Sequence, residues 1–322
     1  MAACATRSAT RKAASSSSSD DASRCLMLAL SHDELGVIFD GLADPLQPVV
    51  SVALSSTCLG LRTPLRAALE LLAQRYEAAK RLCSTIYAST CSQYVNGPLT
   101  CASLRDAKEL FWYGDNLAAA VMPTLGMILR TNGLPKLQGL FICGVVIDET
   151  GMQALFEGFR LGGATSLKEL GLEINGFGPA GAEALAAALC GGAVPKLELL
   201  FLGSNTIGGQ GVTALAVPLR KLPLRDLQLS QTELDDAGVA SLFANLGKDD
   251  FKALERIPLH SIFGQGHVHN QLGEKSYATL TSVLDEGAMP KLENLVLPAN
   301  GASQAALVQA AARRHVQLVF AE

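Results

Sequence analysis

The chain has 322 residues, of which 49% are hydrophobic and 17% charged, and its formal net charge is -4. These totals allow a sizeable core, but they leave no dense basic face of the kind that binds nucleic acid, so no nucleic-acid partner is predicted. No apolar run reaches the roughly 18 residues that a membrane-crossing helix requires, so no membrane partner is predicted either.

The first 24 residues, MAACATRSATRKAASSSSSDDASR, are rich in alanine and serine. Such a segment cannot bury enough apolar surface to order itself, so residues 1–24 are predicted to be a disordered tail. The lack of acids before Asp20 also suits an organelle transit peptide, which stays open as the alternative. The eight cysteines include no CxxC pair, and this usage indicates reduced thiols in the cytoplasm or nucleus.

The next segment, residues 26–65, is predicted to form a small module of three short helices. Ser31 followed by Glu34 is a capping box that starts the first helix, and a break at Pro45 ends it. Residues 66–106 follow as a linking helix and connector. The apolar residues of this helix alternate steps of three and four, which places them on one packing face.

One pattern recurs from residue 107 to the end of the chain: L-x-x-L-x-L-x-x-(N)-x-(I/L)-x-x-x-G-x-x-A-L. Its copies follow one another at steps of about 27 to 38 residues, and a near-fixed period in this range predicts a solenoid. The copies start at Leu137, Leu167, Leu197, Leu224, Leu254 and Leu292. A worn copy from Ala107 raises the count to about seven units. The unit over 254–291 carries an insertion.

A single unit shows how the pattern would fold. In LELLFL, residues 197–202, Leu200 and Leu202 alternate with other residues at strand period. Asn205 follows where the chain must turn, and its amide can bond backbone groups that no strand ladder satisfies. The same slot holds Asn175 and Asn300, whereas Val145, Thr232 and Ile262 occupy it in other units. A helix then follows, whose apolar face only stacked neighbours can bury.

This frame resembles the leucine-rich repeat family, specifically its long ribonuclease-inhibitor-like class. The resemblance covers roughly two thirds of the chain. It implies an α/β fold, a leucine-rich repeat solenoid shaped as a horseshoe with parallel strands inside and helices outside. Here that solenoid would be preceded by the small all-α N-terminal module.

The N-terminal module is itself similar to the F-box. The matching residues are Leu30, Asp33, Glu34, Leu35, Ile38, Phe39, Leu42, Pro45, Leu54, Cys58 and Arg62, with Ser31 and Leu61 in place of the usual proline and tryptophan. The resemblance implies that the module binds the Skp adaptor of a cullin–RING ubiquitin ligase. The residues it assigns to adaptor binding are Leu30, Leu35, Ile38, Phe39, Leu42 and Pro45. The alternative is a helical cap that only covers the first repeat.

Strand alternation predicts which side chains point away from the core. The fifth position of successive units holds Phe111, Phe141, Gly171, Phe201, Gln228, Pro258 and Val296. Nearby slots hold Tyr113, Glu169, Glu173, Leu199, Asp226, Arg256 and His260. Aromatic residues in a groove are typical anchors of protein interfaces. We therefore expect a protein partner to bind the concave face through Phe111, Tyr113, Phe141, Leu199, Phe201, Glu169, Glu173 and Arg256. The alternative is that loops or the linking helix cover these residues.

Two motifs suggest ligands but fit the repeat better. GFGPAG, residues 176–181, is a literal G-x-G-x-x-G between a strand and a helix. Gly181 is nevertheless the repeat's own glycine, and the acid expected at the end of the next strand is missing, so no nucleotide cofactor is predicted. His260, His267 and His269 in the insertion could share a metal. No cysteine or carboxylate lies beside them, so a solvated loop without metal is predicted.

No catalytic constellation is recognisable, and the chain is predicted not to be an enzyme. A regulator like the Ran GTPase activator, which shares this repeat class, is disfavoured because the first strand, AKELFWYG, contains no arginine. The favoured function is a non-catalytic, F-box-type substrate adaptor that recruits a protein to a cullin–RING ubiquitin ligase. The alternative is a general leucine-rich repeat scaffold or sensor whose N-terminal helices only cap the solenoid.

Overall fold

The computed structural model describes residues 31–56, 65–89, 99–114, 121–162, 164–260, 269–299 and 304–321. Several sequence predictions lie outside these residues, namely those on residues 1–24, Leu30, Cys58, Leu61, Arg62, Ile262, His267 and Asn300. The chain divides into two compact units. We call the described residues up to Ala43 and from Pro48 to Leu72 the helical unit, and Asp44–Gln47 with the described residues from Ala73 onward the repeat unit.

The helical unit consists of α1 (His32–Leu42), α2 (Val49–Ser56) and the first part of α3 (Arg66–Ser89). The predicted capping box opens α1: the Ser31 hydroxyl accepts from the backbone N–H of Glu34, and the Glu34 carboxylate accepts from the backbone N–H of Ser31. Its buried core comprises Leu35, Phe39, Ala43, Leu65 and Leu72. The all-α character predicted for this segment is confirmed.

Eight strands make up the repeat unit, and all of them are parallel in one sheet whose order follows the chain. The strands are β1 (Glu109–Tyr113), β2 (Gly139–Cys143), β3 (Glu169–Gly171), β4 (Leu199–Phe201), β5 (Asp226–Gln228), β6 (Arg256–Pro258), β7 (Asn294–Pro298) and β8 (Gln317–Ala321). The helices are α4 (Cys101–Arg105) before β1, then α5 (Val121–Arg130), α6 (Glu149–Gly162), α7 (Pro179–Cys190), α8 (Gly208–Lys221), α9 (Asp236–Phe243), α10 (Glu274–Asp285) and α11 (Gln304–Arg314) between strands. The predicted solenoid of parallel strands and alternating helices is confirmed.

The register of the sheet follows the repeat frame. Leu140 lies opposite Leu110 and Leu170, and Leu200 opposite Leu170 and Leu227. These leucines and the corresponding residues of the other strands point into one continuous core that also contains the helices' apolar faces. Parallel strands joined by helices cross over with one hand, so the helices form a layer on one side of the sheet.

The last strand lies within the predicted repeat region, but none of the predicted copies starts there. β8 pairs with β7 over five residues, from Gln317 opposite Asn294 to Ala321 opposite Pro298. Its sequence, QLVFA, is too short to carry the leucine frame, so the pattern gave no signal for it. Leu318 and Phe320 pack against the core and extend it past the seventh unit.

The turn asparagines bind backbone groups of neighbouring units, as predicted. Asn175 Nδ2 donates to the carbonyl oxygen of Ile142 at 2.6 Å, and Asn205 Nδ2 donates to that of Leu172 at 2.7 Å. The Asn205 Oδ1 accepts from the backbone N–H of Asn175 at 3.0 Å. Both asparagines are 1% exposed. Each one therefore joins the turn of its own unit to the unit before it.

In the unit over 254–291, which carries the insertion, the turn asparagine lies further along the chain than the repeat pattern predicted. Counting along the pattern assigned Ile262 to the slot, but it is Asn270, beyond the insertion, that makes the equivalent bonds. Its Nδ2 donates to the carbonyl oxygens of Leu229 and Leu259 at 2.7 and 2.6 Å, and its Oδ1 accepts from the backbone N–H of Thr232 at 2.9 Å. The insertion shifts the slot along the chain because spatial position, not sequence count, decides which amide reaches the turn.

Candidate functional site

The sheet has a second face, which points away from the helical layer and which we call the outer sheet face. Its side chains form rows, because parallel neighbours place equivalent positions side by side. One row comprises Glu109, Gly139, Glu169, Leu199, Asp226, Arg256, Asn294 and Gln317. The next comprises Phe111, Phe141, Gly171, Phe201, Gln228, Pro258, Val296 and Val319. The strands therefore bring the predicted outward positions together on one surface.

Three of the predicted aromatic residues stack across this face. The rings of Phe111 and Phe141 have centroids 4.7 Å apart and planes within 3° of each other. The Phe141 and Phe201 centroids are 6.4 Å apart with planes at 28°. All three side chains are half-buried, while Tyr113, two residues after Phe111 on β1, is 54% exposed. The result is a partly exposed aromatic series across β1, β2 and β4.

Two glycines give the central ring its space. A Cβ on Gly171 would lie 2.6 Å from Phe141 Cδ1, and a Cβ on Gly139 would lie 3.2 Å from Phe141 Cε2. The Phe141 ring therefore covers the backbone of its neighbours, where any larger residue would displace it. Gly171 is the residue that interrupts the aromatic series at the fifth position, and its smallness is what lets Phe141 approach Phe201.

Carboxylates accompany the aromatic series. The pKa of Glu169 is raised, first by burial and then by the negative charges of Glu109 and Glu198. The pKa of Glu173 is also raised, first by burial and then by the charge of Asp226. These shifts show that the carboxylates disfavour one another's ionised forms. The part of the outer sheet face around β3 is thus apolar and negatively charged together.

A groove of about 350 Å³ lies beside the aromatic series, over β4, β5 and β6. It is lined by Leu199, Phe201, Arg225, Asp226, Gln228, Glu255, Arg256 and Pro258, so three of the predicted binding residues (Leu199, Phe201 and Arg256) meet there. The rim is partly closed by a two-bond ion pair, in which Arg225 Nε and Nη2 lie 3.0 and 2.9 Å from the Glu255 carboxylate oxygens.

Two of the residues that line the groove each have a buried polar atom that the described residues leave without a hydrogen-bond partner, Asp226 Oδ1 and Gln228 Oε1. Asp226 is only 7% exposed. Its other oxygen, Oδ2, lies 3.5 Å from Arg256 Nη1. Burial raises the pKa of Asp226 although Arg256 acts to lower it. The sequence predicted Asp226 as a concave position but not as a site residue, because nothing in the repeat frame signals burial on that face.

The predicted adaptor-binding residues do not share one environment. Leu35 and Phe39 are 6% and 1% exposed and belong to the core of the helical unit. Ile38 and Leu42 are exposed on α1 at 38% and 40%. Pro45 is buried and belongs to the repeat unit. Further exposed apolar side chains on α1 and α2 are those of Val37, Val49, Val50 and Val52.

The glycine motif GFGPAG has a packing explanation. A Cβ on Gly181 would lie 3.0 Å from Phe177 Cδ2, and Phe177 is buried. The equivalent glycines of other units, Gly151 and Gly211, meet Ile147 and Ile207 in the same way. In these three units the glycine therefore makes room for the buried apolar residue four positions earlier.

The histidines are only partly described. The rings of His260 and His269 are nearly parallel, with centroids 6.4 Å apart. Within the described ranges, no group of three or more histidine, cysteine, aspartate or glutamate side chains is placed to hold a metal ion. None of the helices described is both long and apolar enough to cross a membrane.

Comparison with known proteins supports the repeat assignment. A family model described as Leucine Rich repeat matches residues 163–186 and 195–216. These two segments contain β3 with the first part of α7, and β4 with the first part of α8. A search of curated proteins finds no match. The match concerns the repeat itself, so the ribonuclease-inhibitor-like class and the F-box similarity stay predictions.

Proposed function

We propose that this leucine-rich repeat solenoid is a non-catalytic protein-binding scaffold whose outer sheet face contacts a protein partner. The observation that carries the proposal is the stacked series Phe111, Phe141 and Phe201, with Tyr113 exposed beside it. Partly exposed aromatic rings bury much apolar area when a partner covers them, and they lose little conformational entropy because they already stack. Leucine-rich repeats usually serve in protein binding, which agrees with this assignment.

The dimensions of the aromatic series favour a protein partner over a small molecule. Neighbouring strands lie about 4.8 Å apart, so the four strands β1 to β4 across which the series lies extend over roughly 14 Å. The face continues across eight strands, and the carboxylates of Glu169 and Glu173 accompany the aromatic series. Small-molecule sites are concave and bury most of their ligand, whereas an open face of this extent suits a protein surface.

The proposal is tested with partners captured from cells by the tagged full chain. We expect Phe141→Asp and Phe201→Asp to remove most of the partners that the wild type captures, because a charge replaces the apolar anchor. The matched control is Val217→Asp on α8, where valine is 66% exposed and lies outside the sheet. Circular dichroism first establishes that each variant is folded. Folded variants of Phe141 and Phe201 that keep every partner would overturn the proposal.

We further propose that the helical unit binds a Skp-type adaptor, so that the chain recruits its partner to a cullin–RING ubiquitin ligase in the cytoplasm or nucleus. The support is the similarity of this segment to the F-box together with the exposure of Ile38 and Leu42 on α1. Exposed apolar side chains on a short helical module are typical of docking surfaces. The alternative, a scaffold whose N-terminal helices only cap the repeats, predicts no adaptor binding.

A pulldown of the purified chain with a eukaryotic Skp adaptor separates these two functions. The informative variant is Ile38→Asp/Leu42→Asp, because both side chains are exposed and their loss leaves the core intact. Val217→Asp/Val308→Asp is the control, since it replaces two exposed apolar residues on helices of the repeat unit. We expect the first variant to lose the adaptor and the control to keep it. No binding by the wild type would overturn the adaptor function and leave the scaffold.

A further inference from the structure

Two residues of the groove beside the aromatic series have buried acceptor atoms that no hydrogen bond within the described residues satisfies. Asp226 is only 7% exposed, and its Oδ1 has no hydrogen-bond partner among the described residues. Gln228, two residues along the same strand and on the same face, has an Oε1 that also lacks one. A buried acceptor without a donor is unfavourable, and more so when it carries a charge.

The charged groups around Asp226 do not supply the hydrogen bond that its Oδ1 lacks. Arg256 reaches only the other carboxylate oxygen, at 3.5 Å, and is itself 59% exposed. Arg225 is held by both oxygens of Glu255 at the rim. Glu173 carries the same sign of charge and interacts unfavourably with Asp226. Asp226 therefore lines the groove, and its Oδ1 is a buried acceptor for which the described residues offer no donor.

We propose that Asp226 and Gln228 receive a basic side chain, favourably an arginine, of the protein partner. This inference rests on the proposed function, because it assigns the chemistry of the partner that binds the outer sheet face. Both atoms that lack partners are acceptors, so the group that fits must donate hydrogen bonds, and the carboxylate selects a cation. A guanidinium has five N–H donors in a planar fork and can serve two acceptors at once.

The surroundings of the two acceptors also suit such a side chain. Leu199 lies opposite Asp226 and Phe201 opposite Gln228 in the register of β4 and β5. These apolar residues can pack the aliphatic stem, and the Phe201 ring can face the cation. The carboxylates of Glu169 on β3 and of Glu173, two residues after β3 ends, add a negative potential that attracts a positive partner.

The same geometry gives the spacing of the partner's residues. Phe141 lies on β2 and Asp226 on β5, which are three strand spacings apart, or roughly 14 Å. An extended segment that crosses the strands advances about 3.3 Å per residue. We therefore expect an aromatic or aliphatic residue over Phe141 about four positions from the arginine that reaches Asp226.

The test is a selection of displayed random 12-residue peptides on the immobilised full chain. We expect the wild type to enrich peptides that combine arginine or lysine with an apolar residue about four positions away. Asp226→Asn keeps the shape of the side chain but removes its charge. We expect a peptide selected on the wild type to bind this variant at least about tenfold more weakly. Replacing the peptide's arginine by glutamine should then have little further effect on Asp226→Asn.

Controls separate this inference from the proposed function. Phe141→Asp tests the apolar anchor, and Val217→Asp on α8 tests the selection itself. Selected peptides that lack a basic residue, or that bind Asp226→Asn as well as wild type while Phe141→Asp removes them, would overturn the inference and leave the proposed function. A selection without any peptide that depends on Phe141 or Asp226 would overturn both.

Discussion

The turn asparagines and the groove acceptors are all polar groups of the repeat unit with buried side-chain atoms, yet they differ in their hydrogen bonds. Asn205 is 1% exposed, and its side chain bonds the backbone of its own turn and of the unit before it. Asp226 is 7% exposed and has an oxygen without a partner. One set completes the bonding of the solenoid, whereas the other leaves bonding incomplete.

This difference separates folding from function along a single chain. Native proteins pair nearly all of their buried polar groups, so an exception requires an explanation. The asparagines are explained by the turns that they stabilise. The groove acceptors reduce stability as they stand, and we attribute them to partner binding. Three substitutions test that distinction, beginning with the largest expected effect on the free energy of unfolding.

Asn205→Ala should reduce the free energy of unfolding by about 3 kcal/mol or more. The substitution leaves the carbonyl oxygens of Leu172 and Leu202 and the backbone N–H of Asn175 without this partner inside the protein. Each such group costs about 1–3 kcal/mol when it is buried without a bond. Urea unfolding of the full chain, followed by circular dichroism, measures the loss.

The control for this substitution is its exposed neighbour. Thr206→Ala should change the free energy of unfolding by less than about 0.5 kcal/mol, as surface substitutions commonly do. Equal losses for Asn205→Ala and Thr206→Ala would mean that the amide bonds contribute nothing beyond the turn backbone, and the comparison with the groove would fail.

Thr232→Ala should have a smaller effect, about 1 kcal/mol. The Thr232 hydroxyl donates to the carbonyl oxygen of Leu229 at 2.9 Å, but Asn270 Nδ2 donates to the same oxygen at 2.7 Å. Removing the hydroxyl therefore leaves no acceptor unpaired. The same urea titration applies, and Thr232→Ser, which retains the hydroxyl, is the matched variant. A loss as large as that of Asn205→Ala would show that the two donors are not redundant.

Asp226→Asn should act in the opposite direction and raise the free energy of unfolding at pH 7 by up to about 1 kcal/mol. The substitution removes a charge from a site where burial is the main influence on its pKa. The loss of the ion pair with Arg256 should cost little stability, because the Arg256 side chain is exposed and remains solvated. Thermal unfolding of both forms at equal concentration measures the difference. A clear loss of stability would mean that the Asp226 charge serves the fold.

The pH dependence of that difference follows from the sign of the shift. Burial raises the pKa of Asp226 above its unfolded value of about 3.9. Between these two pKa values the folded state binds more protons, so stability falls as pH rises through this window. The gain in free energy of unfolding from Asp226→Asn should therefore become smaller as pH falls towards 4. The charges of Arg256, Glu255 and Glu173 act on the same carboxylate. An advantage that does not change with pH would exclude Asp226 titration as its cause.

Much of the fold could be predicted from the repeat period and from the residue spacing within each unit. The worn first copy was predicted from Ala107, one repeat step before the copy at Leu137, and in the sheet its Trp112 lies opposite Ile142 of that copy. The outward series from Phe111 to Phe201 was obtained from the same count, and it lies side by side across the strands. Counting succeeded because every unit repeats one local solution, with apolar residues at strand period and a glycine that admits the helix.

Other features could not be reached in this way. Leu35 and Ile38 lie three positions apart on α1, and only their packing shows that one is core and the other is exposed. Asn270 takes the turn slot because the insertion changes the count but leaves the bonded position in space. Gly171 could be read as a gap in the aromatic series, but its role in admitting the Phe141 ring depends on the neighbouring strand.

By itself the sequence determined the repeat period, and through it the parallel sheet and the face on which each strand residue lies. Only the tertiary structure decided which outward residues are buried and which polar atoms lack a partner. The physical reason is that strand alternation is local, whereas burial and hydrogen bonding at Asp226 depend on residues about 30 positions away, such as Leu199 and Arg256. The sequence therefore predicted on which face of the sheet Asp226 and Gln228 lie. It did not predict the buried atoms without hydrogen bonds from which we assign these residues to partner binding.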